Sequence, residues 1–171
     1  FGVEKASGEA MLEIRPSRDA TLILNGGYNR GSSIELTGIG AAQAIDWTYW
    51  YTQGRILYKD FFFQTFLNKS DAGDTYTLRD GKPIVDKSSL FAAQAQHQWG
   101  LTDRQNFTYG VDYFFTKPDT KETITGRNEN DDTIKEFGAY LQSETSLSEK
   151  FKVVLAGRFD DTGGDGKFLL S

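Results

Sequence analysis

The chain has 171 residues, a formal net charge of −5 and a sequence pI near 4.9, a balance that argues against nucleic acid, which wants a basic stripe. It has no cysteine and no uncharged apolar run approaching the ~18–20 residues of a membrane helix, so disulfides, thiolate metal sites and spanning helices are excluded. Eight Tyr, thirteen Phe and 18 Gly against three Pro favour many short pleated strands over disorder.

Strand patterns run along the whole sequence, with no stretch of convincing helical period. Residues 9–15 alternate Ala10, Leu12 and Ile14 with Met11, Glu13 and Arg15. In the next segment Ala20, Leu22, Leu24, Gly26 and Tyr28 oppose Thr21, Asn25 and Asn29. Over residues 48–58, Trp50, Ile56 and Tyr58 share a face with Thr52 and Gly54, opposite Gln53 and Arg55. Residues 60–69 read as a strand from Phe61, Phe62, Phe63, Phe66 and Leu67, with ambiguous parity.

The second half is cleaner. Residues 90–101 set Phe91, Ala93, Ala95, Trp99 and Leu101 against Gln94, Gln96 and Gln98. Residues 105–116 put Phe107, Tyr109, Val111, Tyr113 and Phe115 on one side and Asn106, Thr108, Gly110 and Asp112 on the other, with Phe114 as an exception. Residues 136–147 alternate Phe137, Ala139, Leu141 and Leu147 with Glu136, Gly138, Tyr140, Gln142 and Glu144. In residues 151–160, Phe151, Val153, Leu155, Gly157 and Phe159 oppose Lys152, Val154, Ala156, Arg158 and Asp160, so the charges fall on the second face. A period of two means one apolar and one polar face per strand.

The joints alternate in length. Tight ones fall at Arg15-Pro16-Ser17-Arg18-Asp19, Tyr58-Lys59-Asp60, Thr102-Asp103-Arg104 and Ser148-Glu149-Lys150, with long polar excursions over residues 29–45, 71–88 and 118–134. Short turns at one end and long loops at the other are how outer-membrane β-barrels are built. The expected fold is all-β, an antiparallel meander of about eight strands forming part of a large transmembrane barrel. Residues 1–171 form one partial barrel domain without an internal boundary. If the tight turns are periplasmic, both ends of the chain lie on the extracellular side, whereas complete bacterial barrels keep both in the periplasm. Connectivity therefore predicts an internal segment, with a further strand beginning at residues 167–170. Such a segment alone leaves two unpaired edges and is not expected to fold stably.

Several stretches resemble TonB-dependent outer-membrane receptors: Phe137-Gly138-Ala139-Tyr140-Leu141-Gln142-Ser143-Glu144, then Leu147-Ser148-Glu149-Lys150-Phe151, then Leu155-Ala156-Gly157-Arg158-Phe159-Asp160. Ala72-Gly73-Asp74-Thr75-Tyr76, Tyr109-Gly110-Val111-Asp112-Tyr113, Arg15-Pro16-Ser17 and the closing Phe168-Leu169-Leu170-Ser171 add to the likeness. The resemblance implies a plugged barrel of about 22 strands. It further implies import of a scarce nutrient (siderophore, cobalamin, glycan or peptide) across the Gram-negative outer membrane, energised through a TonB box. No plug, TonB box or terminal aromatic strand is seen in these residues, so contacts with the plug and the TonB complex would be made by other parts of such a receptor.

The polar face supplies the lumen-lining candidates Arg55, Gln94, Gln96, Asp112, Gln142, Glu144 and Arg158, with Arg158 and Glu144 as a candidate ion pair on neighbouring strands. Extracellular ligand candidates are Trp47, Asp74, Tyr76, Arg79 and Arg127. Trp50, Tyr58 and Trp99 read as interfacial girdle residues in contact with lipid. The acidic loop residues Asp71, Asp74, Asp80, Asp86, Asp119, Glu122, Glu129, Asp131, Asp132, Asp161 and Asp165 match no calcium loop and read as solvated charge, so no metal or cofactor is expected. His97 falls on the apolar face between Ala95 and Trp99 with no nucleophile beside it, and no enzyme is expected. Two other architectures compete: a complete eight-stranded outer-membrane protein with a structural or adhesive role, and a soluble lipocalin-like carrier with the apolar set inside.

Overall fold

A computed structural model describes residues 2–124 and 132–163, and the backbone of 167–170. These residues form one antiparallel sheet of β1 (Glu4–Ser17), β2 (Ala20–Thr37), β3 (Gly40–Tyr58), β4 (Phe61–Asp71), β5 (Tyr76–Thr77), β6 (Ser89–Thr102), β7 (Gln105–Lys117), β8 (Ile134–Ser148), β9 (Phe151–Asp161) and β10 (Lys167–Leu170). Each strand pairs with its sequence neighbour, except that β4 pairs with β6 while the two-residue β5 returns to β3. The sheet is a meander, and among the described residues it does not close: β1 pairs only with β2, and β10 only with β9.

The strand count exceeds the expected eight for two reasons. β10 is the foreseen extra strand, and β5 lies inside what reads as a loop. A larger difference concerns residues 29–45, expected as a long excursion. They are strand almost throughout: β2 and β3 stay paired out to Thr37↔Gly40 and reverse over two residues. Ile34 and Leu36 alternate with Ser33, Glu35 and Thr37, so the period of two continues past the apolar band.

The tight turns share a local device. The hydroxyls of Ser17, Thr102 and Ser148 each accept the backbone N–H two residues on, at 3.3 Å, and Thr37 does the same for Ile39 at the opposite end. Such side-chain bonds mimic a backbone turn and compete with the ladder, which stops there. The β3–β4 turn instead places Lys59 in the left-handed region at φ 50.

Parity assigns two faces, because directly opposed residues in an antiparallel pair share a side. One row runs Arg55↔Gln64↔Gln94↔Asp112↔Gly138↔Asp160 across β3, β4, β6, β7, β8 and β9. The adjacent parity holds Ile56↔Phe63↔Ala95↔Val111↔Ala139↔Phe159. This register settles β4: Phe61 and Phe63 belong to the apolar face, Phe62 and Phe66 to the polar one. The apolar face is the exposed one, with Leu24, Ile56, Tyr109, Val111, Leu141, Leu155 and Phe159 all open. A lipocalin arrangement would have enclosed that set.

Burial is greatest elsewhere, at the end away from the tight turns. Ala42, Ala44, Ala72 and Ile84 are the buried apolar residues among those described, joined by Thr75 and Thr120. There the chain after β4 folds back on the outer half of β3: Thr77 and Tyr76 pair with Ala42 and Gln43, and Gly73 bridges Ile45. Gly73 sits at φ +58, and a Cβ there would collide with the Ile45 and Asp46 carbonyls. The chain after β7 joins through Lys87 N–H to Asp119 O at 2.8 Å and Val85 N–H to Thr123 Oγ1 at 2.9 Å. The connections expected as loose polar loops thus form a packed cap.

Candidate functional site

All seven lumen-lining candidates lie on the polar face. Arg55, Gln94 and Asp112 occupy one pairing row, Gln96 and Arg158 the next, and Gln142 and Glu144 the two rows after that toward the tight turns. Arg55 donates through Nε and Nη2 to Gln64 Oε1 at 3.1 and 2.9 Å, knitting β3 to β4.

The expected Arg158–Glu144 pair does not form. Arg158 donates Nη1 and Nη2 to the two oxygens of Asp112, each at 2.9 Å, and Nε to Asp160 Oδ1 at 2.7 Å. Glu144 pairs instead with Lys152. The reason is register: Glu144 is opposite Val154, and Lys152 is opposite Ser146, a diagonal neighbour. Arg158 is opposite Tyr140, two same-face rows away.

The Arg158–Asp112 contact spans three strands. Gly138 stands between them, and a Cβ there would overlap the guanidinium and the Asp112 carboxylate. Asp112 is nearly enclosed, with its side chain 9 % exposed against 39 % for Arg158. The same construction recurs twice. Tyr140 lies over its cross-strand partner Gly110, where a Cβ would sit 2.6 Å from the phenol oxygen, and its hydroxyl donates to Gln96 Oε1 at 2.7 Å. Tyr51 lies over Gly27, with a virtual Cβ at 2.5 Å from the ring, and its hydroxyl reaches Glu9 on β1. In each case a long side chain uses a glycine on the middle strand to bond the strand beyond. Parity gives the face, but these crossings follow only from register.

The mouth candidates fall in two places. Trp47 and Tyr49 lie on the polar face, their rings stacked at 6.1 Å and 16°. They line a groove of about 440 Å³ with Lys5, Asn29, Glu35 and Leu36. Trp47 Nε1–H donates to Ser70 Oγ at 3.0 Å, and Ser70 Oγ–H donates to Asp86 Oδ2 at 2.6 Å, which fixes the indole. A bulge helps to aim it: Asp46 takes φ 58, held by Arg30 at 2.6 Å and by Ser32 Oγ, which accepts the Asp46 N–H at 3.0 Å.

Arg79 lines a second hollow of about 550 Å³ with Asp80, Lys82 and Glu122 on the cap. Asp74 and Tyr76 line neither, Tyr76 being engaged as the partner of Gln43. Arg127 lies outside the described residues. Several acidic residues expected as solvated charge have local partners: Asp71 accepts the Gly73 N–H and Asp86 the Ser88 N–H, both at 3.0 Å, and Asp119 pairs with Lys121 at 2.8 Å. Among the described residues there is no group of acidic or histidine side chains able to hold a metal. His97 Nδ1 meets Tyr109 Oη at 2.9 Å on the apolar face.

An open antiparallel wall with one exposed apolar face, one polar face, four tight turns at one end and mostly long connections at the other defines a segment of a membrane β-barrel. Residues 10–170 match the family model described as TonB dependent receptor-like, beta-barrel. The chain belongs to that family, one of outer-membrane receptors and transporters. A search of curated proteins finds no match, and neither does a search of solved structures.

Proposed function

We propose that this chain forms wall, lumen lining and ligand-facing mouth in a receptor that imports a scarce nutrient across the Gram-negative outer membrane. The observation that carries this reading is the continuous polar row Arg55–Gln64–Gln94–Asp112–Asp160 on the less exposed side of a sheet whose other side is open and apolar. The polar side faces the lumen and a plug, with Arg55, Gln94, Gln96, Asp112, Gln142, Glu144 and Arg158 as lining.

At the mouth, the Trp47–Tyr49 stack beside Asn29, Lys5 and Glu35 suits a ligand with a flat apolar face and polar edges. Arg79, Asp74, Tyr76 and Arg127 supply further contacts in the outer connections. Trp50 and Tyr58 bound the lipid-facing band. They are eight residues apart on β3, about 26 Å of strand, or about 20 Å along the membrane normal at the ~40° tilt of such barrels, most of their ~25 Å apolar band.

These 171 residues hold no cysteine, so an introduced thiol is the only one in this segment. Single cysteines replacing Leu141 and Gln142 are treated in outer membranes with a charged, membrane-impermeant maleimide. Labelling at 142 with protection at 141 is the expected result; the reverse pattern would sink the assignment of faces.

A further inference from the structure

On the apolar face, three strands carry a lysine at or next to the outer end of their run, β4 adding Asp71 beyond its lysine. β4 presents Phe61, Phe63 and Leu67, then Lys69. β7 presents Tyr109, Val111, Tyr113 and Phe115, then Lys117. β8 presents Leu141, Ala139 and Phe137, then Lys135. Register brings them together: Lys69 is opposite Ser89, Ser89 is opposite Lys117, and Phe115, two residues before Lys117, is opposite Lys135. Two strand spacings separate Lys69 from Lys117, about 10 Å.

All three lysines are exposed, and among the described residues none takes part in an ion pair. Lys69 rests over the Trp50 ring at 5.8 Å, which holds its ammonium at the edge of the apolar band. Strands to either side differ: on β2, beyond β3, the run ends in Arg30, which Asp46 holds, and on β9 it ends in Asp161. At the outer edge of the apolar face, the lysines without an ion pair among the described residues therefore lie on β4, β7 and β8.

We infer that Lys69, Lys117 and Lys135, with the Ser89 hydroxyl between the first two, bind the phosphate headgroup of an anionic lipid in the outer leaflet. Three ammonium groups, flanked by Asp71 and Asp161 on the same face but in no ion pair among the described residues, are complementary to a phosphomonoester or diphosphate. A soluble phosphate gains nothing from the apolar surface directly beneath. An amphiphile lays its acyl chains along Leu67, Phe91 and Phe115 while its headgroup meets the lysines, as polybasic patches beside a bilayer recruit anionic lipid. The inference rests on the membrane reading above.

The test uses the native receptor extracted in non-ionic detergent and followed by native mass spectrometry. Diphosphoryl lipid A, phosphatidylcholine and inorganic phosphate are added in separate arms. The expected result is retention of lipid A over phosphatidylcholine, with inorganic phosphate not retained. K69Q/K117Q/K135Q weakens lipid A retention by roughly a hundredfold, at about fivefold per lysine, while the three Lys→Arg replacements preserve it. Equal retention by wild type and the Gln variant would overturn the inference, as would equal retention of the two lipids. Heat-modifiable gel mobility is read in every sample; a wild-type protein without it would remove the membrane reading instead. Where the triple variant loses that mobility, the single K117Q variant gives the same comparison.

Discussion

Arg158 and Asp112 meet in a two-pronged ion pair across an intervening strand, through the space that Gly138 leaves on β8. Both carboxylate oxygens are used, and Asp160 occupies the remaining edge of the guanidinium. The polar face is therefore tied between β7, β8 and β9 by side chains as well as by the backbone ladder.

Removing one partner should be costly. Asp112→Ala is expected to lower the stability of the folded wall by about 1–2 kcal/mol, the range for hydrogen bonds to a charged group reduced for the partial exposure of Arg158. Urea titration of the protein in lipid vesicles measures this. In a double-mutant cycle, Arg158→Met should add little to Asp112→Ala; full additivity would mean that the pair is not coupled.

Glycines on the same sheet should respond differently to one methyl group. Gly138→Ala places a Cβ inside the ion pair and is expected to destabilise, whereas at Gly54 the nearest atoms to a Cβ are 3.6 Å away. Gly54→Ala should be neutral or stabilising by up to about 1 kcal/mol through the unfolded chain. The same urea midpoints decide it, and equal midpoints for the two variants would contradict the close approach at Gly138.

The cap should break independently of the wall. Ile84 is 2 % exposed, and truncation of a buried Ile costs about 2–5 kcal/mol. Ile84→Ala is expected to leave heat-modifiable mobility intact while speeding tryptic cleavage at Arg79 and Lys87. Unchanged cleavage would show that the outer connections do not share a core.

The turn after β5 should loosen in acid. The Thr77 hydroxyl, then Lys82, holds the Asp80 carboxyl below its ordinary value of 3.8. A depressed acid contributes stability above its ordinary value and loses it as pH falls through the folded one, so the turn should hold at neutral pH and open below about 3.8. Amide exchange at Gly81 and Lys82, followed down to pH 2.5, tests this. Asp80→Asn should abolish the pH dependence.

Much of the wall is legible in the sequence because water and lipid lie on opposite sides of each strand. That contrast forces a period of two through Phe151–Asp161 and Gln105–Lys117, and both strands match their expected extent to within about one residue. Where neither side is lipid the contrast fades. Residues 29–45 carry Gly and Ser on both parities and read as loop, although Ile34 and Leu36 still alternate with Ser33 and Glu35. The partner of Arg158 was hidden for a different reason. Asp112 lies 46 residues away, and only the pairing of three strands brings them together. β4 was ambiguous because Phe62 and Phe66 place aromatic rings on the polar face.

The glycine crossings also bear on how such a wall is assembled. Sliding one strand by a single residue inverts its faces and is rejected by the lipid. A slide of two residues keeps polar and apolar sides correct, and the hydrophobic pattern cannot detect it. Tyr140 would then lie against Thr108 or Asp112 instead of Gly110, and Tyr51 against Asn25 or Asn29 instead of Gly27, with no room for either ring. The three notches thus act as a proofreading code for strand alignment, written on the one face that the membrane does not inspect.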